Sequence, residues 1–213
     1  MIIGISGKIN SGKSTFANLL VAKGFQKFSF ADWMKQYCAA IYGVPIDWMY
    51  DQTMKEDTSR MWNIGSLVND LRELEQMGYS ADECRRLIAN LDVILGRHYF
   101  VSLREMLQFV GTEYLRKLDP NFHVKRTVEH LYTDKNYVCD DLRFPNEADA
   151  LRGKGASLIR VDRPTHSDTG THPSEIALDD YEHWTVYVPN VGTLEDYEAM
   201  VESVCNMLTE AHE

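Results

Sequence analysis

Gly7-Lys8-Ile9-Asn10-Ser11-Gly12-Lys13-Ser14, preceded by the apolar run Met1-Ile2-Ile3-Gly4-Ile5-Ser6, is the stretch on which the reading of this chain turns. A short apolar run bounded by glycine predicts a strand buried on both faces, as in a parallel sheet. Ser14 to Ala22 puts Phe16, Leu19 and Leu20 on one side of a helix. Strand, glycine-rich turn and helix in that order fit G-x-x-x-x-G-K-[ST] in the setting that motif requires. Gly7 and Gly12 can take backbone angles closed to other residues. The amides of the loop, from Gly7 through Ile9, Asn10, Ser11 and Gly12 to Thr15, then converge on a phosphate at the positive end of the helix. Lys13 can reach the β- and γ-phosphates of a bound nucleoside triphosphate. The Ser14 hydroxyl can join a Mg²⁺ shell, and Thr15 can meet the α-phosphate. The motif alone does not separate kinases from GTPases or motor ATPases.

Outward from the loop, strands and helices alternate. Strands are expected at 25–30, 137–140, 156–161 and 185–188, and helices at 31–42, 102–117, 122–133, 145–153 and 193–208. That alternation predicts a doubly wound α/β fold with a parallel sheet of about five strands. Residues 46–60 are polar and read as irregular. From Met61 to about Leu95 the pattern is helical, with a break at 78–80 and a capping-box pattern of Ser80 with Glu83. The stretch from about 46 to 130 is too long for one crossover. It is read as a helical substrate-binding insertion within a single domain spanning 1–213. Residues 165–173, rich in Thr, His, Asp and Gly, read as a lid loop, with the lid spanning about 163–174.

The bulk properties narrow the function classes. The 213 residues carry a formal net charge of −10, which argues against sequence-independent binding of nucleic acid or of an anionic membrane. The four cysteines are scattered without a C-x-x-C pair, so neither a zinc site nor a disulfide framework is expected, and a cytoplasmic setting is. His166 and His172 lack a third ligand at metal-binding spacing. No apolar run reaches the length of a membrane span, and the N-terminus does not read as a signal peptide.

A second acidic element stands at Asp140 and Asp141, where the strand near Tyr137 ends. In a parallel sheet the strand C-termini line the ligand crevice. An acid there can hold Mg²⁺ through water or accept a proton from the attacking oxygen. Spacing does not choose between the two; Asp140 is assigned to the metal alongside Ser14, and Asp141 to catalysis. Arg143 follows, and Arg160 and Arg163 flank the start of the lid. Arginines around a lid suit phosphoryl transfer, which needs charge neutralisation and exclusion of water.

Several segments resemble those of phage-type deoxynucleoside monophosphate kinases. Asp141-Leu142-Arg143-Phe144-Pro145-Asn146-Glu147-Ala148 is similar to that family's D-x-R-F-x-N-E-A signature. Phe30-Ala31-Asp32-Trp33-Met34-Lys35 resembles its F-A-D-x-x-K. Leu107-Gln108-Phe109-Val110-Gly111-Thr112-Glu113 with Arg116 resembles its L-Q-x-x-G-T-E with a trailing arginine. His172-Pro173-Ser174-Glu175 resembles the H-x-S-E after its lid. The resemblance implies a kinase using ATP and Mg²⁺, with transfer to a deoxynucleoside 5′-monophosphate. It implies that Lys13 and the loop amides bind the ATP phosphates, and with the strand-end acid and lid readings the candidate catalytic groups are Lys13, Asp141, Arg143 and Arg163. On the acceptor side it implies Asp32, Lys35, Gln108, Arg116 and Arg143, and Thr112 and Glu147, within the same quoted segments, are further substrate-binding candidates. The partners expected are a small nucleoside monophosphate and, as one option, a second copy of the chain. Neither a nucleic acid polymer nor a membrane is expected. Two alternatives stay open: a kinase acting on a coenzyme precursor or a modified base in DNA, and a non-enzymatic nucleotide-dependent switch.

Overall fold

Strand β1 (Ile2–Ser6) is buried along its whole length, and its period of two feeds two cores. Ile3 and Ile5 enter one apolar cluster, while Ile2 enters the other. Gly4 faces that second cluster, where an added Cβ would stand 3.0 Å from Leu151 Cδ1 and Leu158 Cδ2. The computed structural model describes residues 1–59, 62–63, 80–82, 85–86, 99–132, 134–164 and 172–210.

The chain divides into two compact units, one of residues 1–31 with 119–213, the other of residues 32–118. In the first unit β1 is followed by helix α1 (Lys13–Ala22) and the short strand β2 (Gln26–Phe28). The unit resumes with α6 (Phe122–Val128), β5 (Tyr137–Cys139), α7 (Pro145–Gly153) and β6 (Ser157–Asp162). It ends with α8 (Pro173–Ile176), β7 (Val186–Pro189) and α9 (Leu194–Glu210). The five strands lie in the order β2-β5-β1-β6-β7, and every pairing is parallel. The doubly wound sheet read from the sequence is thus the fold. Because β1 is central, the turn after it opens between the C-terminal ends of β5 and β6, where the winding reverses and ligand crevices form.

Helices α1 and α9 supply Phe16, Leu20, Tyr197, Val201 and Leu208 to one face of the sheet. Helix α7 supplies Ala148 and Leu151 to the other, with Leu142 and Leu178. Cys38, Cys139 and Cys205 are buried free thiols, and burial pushes each of them above the ordinary thiol pKa. Among the described residues no helix is long and apolar enough to cross a membrane.

The second unit contains α2 (Asp32–Tyr42), α3 (Gln52–Glu56), and the strands β3 (Trp62–Asn63) and β4 (Tyr99–Phe100). It also contains α4 (Leu103–Gln108), a π-helical stretch Phe109–Leu115 and α5 (Arg116–Leu118). Three sequence expectations need correction. Residues 46–60 are not wholly irregular: Pro45 leads a 3₁₀ turn at Ile46–Met49, and the Asp51 carboxylate caps α3 by accepting from Met54 N–H at 2.8 Å. Trp62–Asn63 is strand, paired antiparallel with Tyr99–Phe100, a non-local contact invisible to helical periodicity. Helix α6 stops at Val128 instead of reaching Thr133, because the His130 and Leu131 amides turn back to Thr127 and Val128. Of the rest of the 61–95 pattern only residues 80–82 and 85–86 are described, and there 81–82 and 85–86 are helical after Ser80; the capping partner Glu83 and residues 165–171 lie outside the described residues.

Candidate active site

The turn from β1 to α1 takes backbone angles that few residues allow. Asn10 has φ 59°, a left-handed angle in a residue other than glycine. Gly12 precedes the helix at φ 108°. The first helical bond runs from Phe16 N–H to Gly12 O at 3.1 Å, so the preceding amides stand outside the helix ladder. Lys13 folds back over the loop and donates to Gly7 O at 2.7 Å and to Lys8 O at 2.6 Å. Gly7 has no room for a side chain, since a Cβ would lie 2.3 Å from Val161 O and 2.6 Å from Ser11 Oγ. Gly7→Ala is therefore expected to cost about 2 kcal/mol of stability and to weaken nucleotide binding about tenfold. Chemical denaturation and a nucleotide titration measure the two effects.

Around the loop, residues distant in sequence bring charge. Arg143 donates to the Glu175 carboxylate, Arg160 donates to Asp179 at 3.1 Å, and Lys8 pairs with Asp179 at 2.6 Å. Lys13, Arg143, Arg160 and Glu175 line one small cavity, about 20 Å³ in volume, with Ser6 and Gly7. Burial first, and then the Arg143 guanidinium, pulls the Lys13 pKa down to about 8, against the opposing pull of Glu175 and Asp140. Burial would also lower the pKa of Arg143, but the Glu175 and Asp141 carboxylates hold it above its ordinary value. Arg163 stands elsewhere: its Nη1 donates to Asn10 O at 3.4 Å, and it lines a cleft of about 610 Å³ shared with Ser14, Thr15, Asn190 and Tyr197.

The strand-end acids have separate partners. Asp140 receives Lys27 Nζ at 2.7 Å. Asp141 receives the Ser29 hydroxyl and the Cys139 thiol. Glu147, buried at the start of α7, accepts from the amides of Arg143 and Phe144 at 3.0 and 3.1 Å. It thereby fixes the turn that carries the arginine.

Asp32, Lys35, Gln108, Thr112 and Arg116 belong to the second unit. Asp32 accepts from Tyr50 Oη at 2.9 Å and faces Lys35 at 3.7 Å, with the Lys35 ammonium 4.3 Å from the Tyr50 ring centre. Gln108, Thr112 and Arg116 recur every fourth residue through the π-helical stretch, which keeps them near one face. Such π insertions frequently mark functional sites. The sequence reading does not single out Tyr50, Asn190 or Tyr197, and it names Glu175 only within the H-x-S-E resemblance, not as the partner of Arg143. For Asn190 a signal was present, since it follows directly on a parallel strand.

The family described as deoxynucleotide monophosphate kinase matches residues 49–201. The chain belongs to that family. It is a kinase, an enzyme that binds and phosphorylates nucleotides, and the switch alternative falls away. A protein of Acanthamoeba polyphaga mimivirus, provisionally named a deoxynucleotide monophosphate kinase, is 28% identical over 219 residues, covering 95% of each chain. The deoxynucleotide monophosphate kinase of Enterobacteria phage T4 is 29% identical over 114 residues, 50% of this chain and 46% of that one. Among solved structures, a dephospho-CoA kinase from Campylobacter jejuni matches with TM-score 0.41 and 11% identity, over 97% of this chain and 96% of that one.

Proposed function

We propose that this kinase transfers the γ-phosphoryl group of ATP to a deoxynucleoside 5′-monophosphate, giving the diphosphate and ADP. The observation that carries the reading is the meeting of Lys13, Arg143 and Arg160 around the mouth of the glycine loop, beside a cleft with room for a nucleoside. Family membership supports the acceptor class.

In this reading the loop amides and Lys13 grip the ATP phosphates. The acceptor phosphate oxygen attacks the γ-phosphorus in line, and ADP leaves with the electron pair of the broken P–O bond. Arg143 spans donor and acceptor phosphates, and its guanidinium fork suits paired phosphoryl oxygens. Arg163, beside Asn10, neutralises charge from the lid side. Asp141, held by Ser29 and Cys139, orients the attacking group. Lys35, Gln108, Thr112 and Arg116 take the monophosphate, with Asp32 steering Lys35 and Glu147 steering Arg143.

Mg²⁺ fits the residues present. A hard cation of this size takes oxygen donors from one or two protein groups plus phosphates and water. Ser14 and Asp140 would be those donors, with Asp140 exchanging its ion pair with Lys27 for the cation. When bound, Mg²⁺ neutralises charge across the phosphates.

A coupled ADP-release assay across deoxy- and ribonucleoside monophosphates tests the proposal. Deoxynucleoside monophosphates are expected to raise ADP release many-fold, with matching diphosphate formed. Release that no monophosphate stimulates overturns it.

The lowered pKa of Lys13 gives a pH dependence. Only the ammonium form binds phosphate, so ATP affinity of the free enzyme is expected to fall about tenfold per pH unit above about 8. Bound phosphates raise that pKa, so the limb in kcat lies at higher pH than the limb in kcat/KM. Folding responds with the opposite sign. Between about 8 and 10.5 the unfolded chain holds the Lys13 proton more tightly, so stability rises with pH across that window. Steady-state pH profiles and denaturation midpoints read the two trends. A flat affinity profile from about pH 7 to 10 contradicts the role of Lys13.

A further inference from the structure

The outer side of the phosphate loop is tied down by the last strand and the last helix of the chain. Asn190 Nδ2 donates to Ser11 O at 2.8 Å, and Tyr197 Oη donates to Gly12 O at 3.1 Å. Both anchors are themselves fixed. The Asn190 amide donates to Asp162 O at 2.6 Å, where β6 ends. Thr193 and Asp196 cap the first turn of α9 reciprocally, Thr193 N–H to Asp196 Oδ2 at 2.8 Å and Asp196 N–H to Thr193 Oγ1 at 3.2 Å. Tyr197 follows at once, its ring 2% exposed in the core shared with Phe16 and Leu20.

Packing accounts for the ring and not for the hydroxyl, because phenylalanine would fill the same space. Gly12 O already accepts the Phe16 amide, so Tyr197 adds a second donor to one carbonyl. The crowding is mutual: a Cβ at Gly12 would stand 2.6 Å from Asn190 Nδ2 and 3.0 Å from the Tyr197 ring. The glycine is required by this brace as well as by its backbone angle.

Across a planar trans peptide the C=O and the next N–H point to opposite sides. Holding Ser11 O outward turns the Gly12 N–H the other way. Holding Gly12 O does the same to the Lys13 N–H. We propose that Asn190 and Tyr197 are positioning residues that aim the Gly12 and Lys13 amides at the phosphates by gripping the carbonyls behind them. The proposal rests on the phosphate-binding reading of the loop.

The two side chains also line the cleft assigned to the nucleoside, so direct contact with the ligand is the competing explanation. Inorganic tripolyphosphate separates the two, because it has phosphates and no nucleoside. Calorimetric titration of ADP and of tripolyphosphate would be made on the unmodified protein, Tyr197→Phe and Asn190→Leu, well below the thermal midpoint of each. The expected result is a loss of about fivefold in each variant, equal for the two ligands, as one hydrogen bond's net contribution implies. The ¹⁵N–¹H signals of Gly12 and Lys13 are expected to move in Tyr197→Phe while those of the α9 C-terminal turns stay in place. A loss for ADP with tripolyphosphate unchanged, or unchanged affinity for both, overturns the brace and leaves the loop's role intact. Failure of the unmodified protein to bind either ligand overturns the phosphate reading and the brace together.

Discussion

Lys13→Met is expected to lower kcat/KM for phosphoryl transfer about 10³-fold while the fold survives. Methionine keeps most of the apolar stem and removes only the charge. That charge is poorly placed for stability: burial and the neighbouring Arg143 pull its pKa down to about 8, so losing it relieves repulsion among cations. What the variant forfeits is the donor pair to Gly7 O and Lys8 O. These two effects oppose one another, and the thermal midpoint is expected to move by no more than about 2 °C. Catalysis has no such compensation, because the ammonium is the loop's own means of neutralising charge on the transferring group. A purified Lys13→Met protein that keeps more than a tenth of normal activity would show that the cradle is not where ATP reacts.

Arg143→Gln is expected to lower kcat by about 10²-fold to 10³-fold and also to destabilise the fold, for a different reason. The Glu175 carboxylate, its side chain only 10% exposed, gives its charge to Arg143. Glutamine leaves it without a counter-charge. The arginine side chain is 38% exposed, so solvent screens part of the loss, and about 1–2 kcal/mol is expected in place of the full cost of a broken buried pair. Adding Glu175→Gln should restore the midpoint and leave activity low. Recovery of both together would make Arg143 a structural residue alone; recovery of neither would mean that Glu175 acts independently of it.

Much of the fold was legible in the chain itself. The Met1–Ser6 run and the glycine loop after it announced a buried parallel strand and a cradle, because both follow from short-range sterics and side-chain period. The Asp141–Ala148 run announced Arg143 for the same site. The capping of α3 by Asp51 is also a local feature, hidden in a polar stretch because only one turn of helix follows the cap. The pairing of Trp62–Asn63 with Tyr99–Phe100 was not readable, since neither dipeptide carries a pattern that names its partner.

Local sequence determined the buried strand, the eight-residue glycine loop after it and the helix that follows. Tertiary structure alone decided what surrounds them. The order β2-β5-β1-β6-β7 sets Asp140, Asp141 and Arg143 at one side of the loop and Arg160 at the other. Chain return from β7 and α9 brings Asn190 and Tyr197 to the loop's back from 179 and 185 residues away. The physical reason is range. Turn geometry and helix initiation are settled among neighbours in sequence, whereas strand order and the grip on a carbonyl depend on which faces bury against each other across the whole sheet.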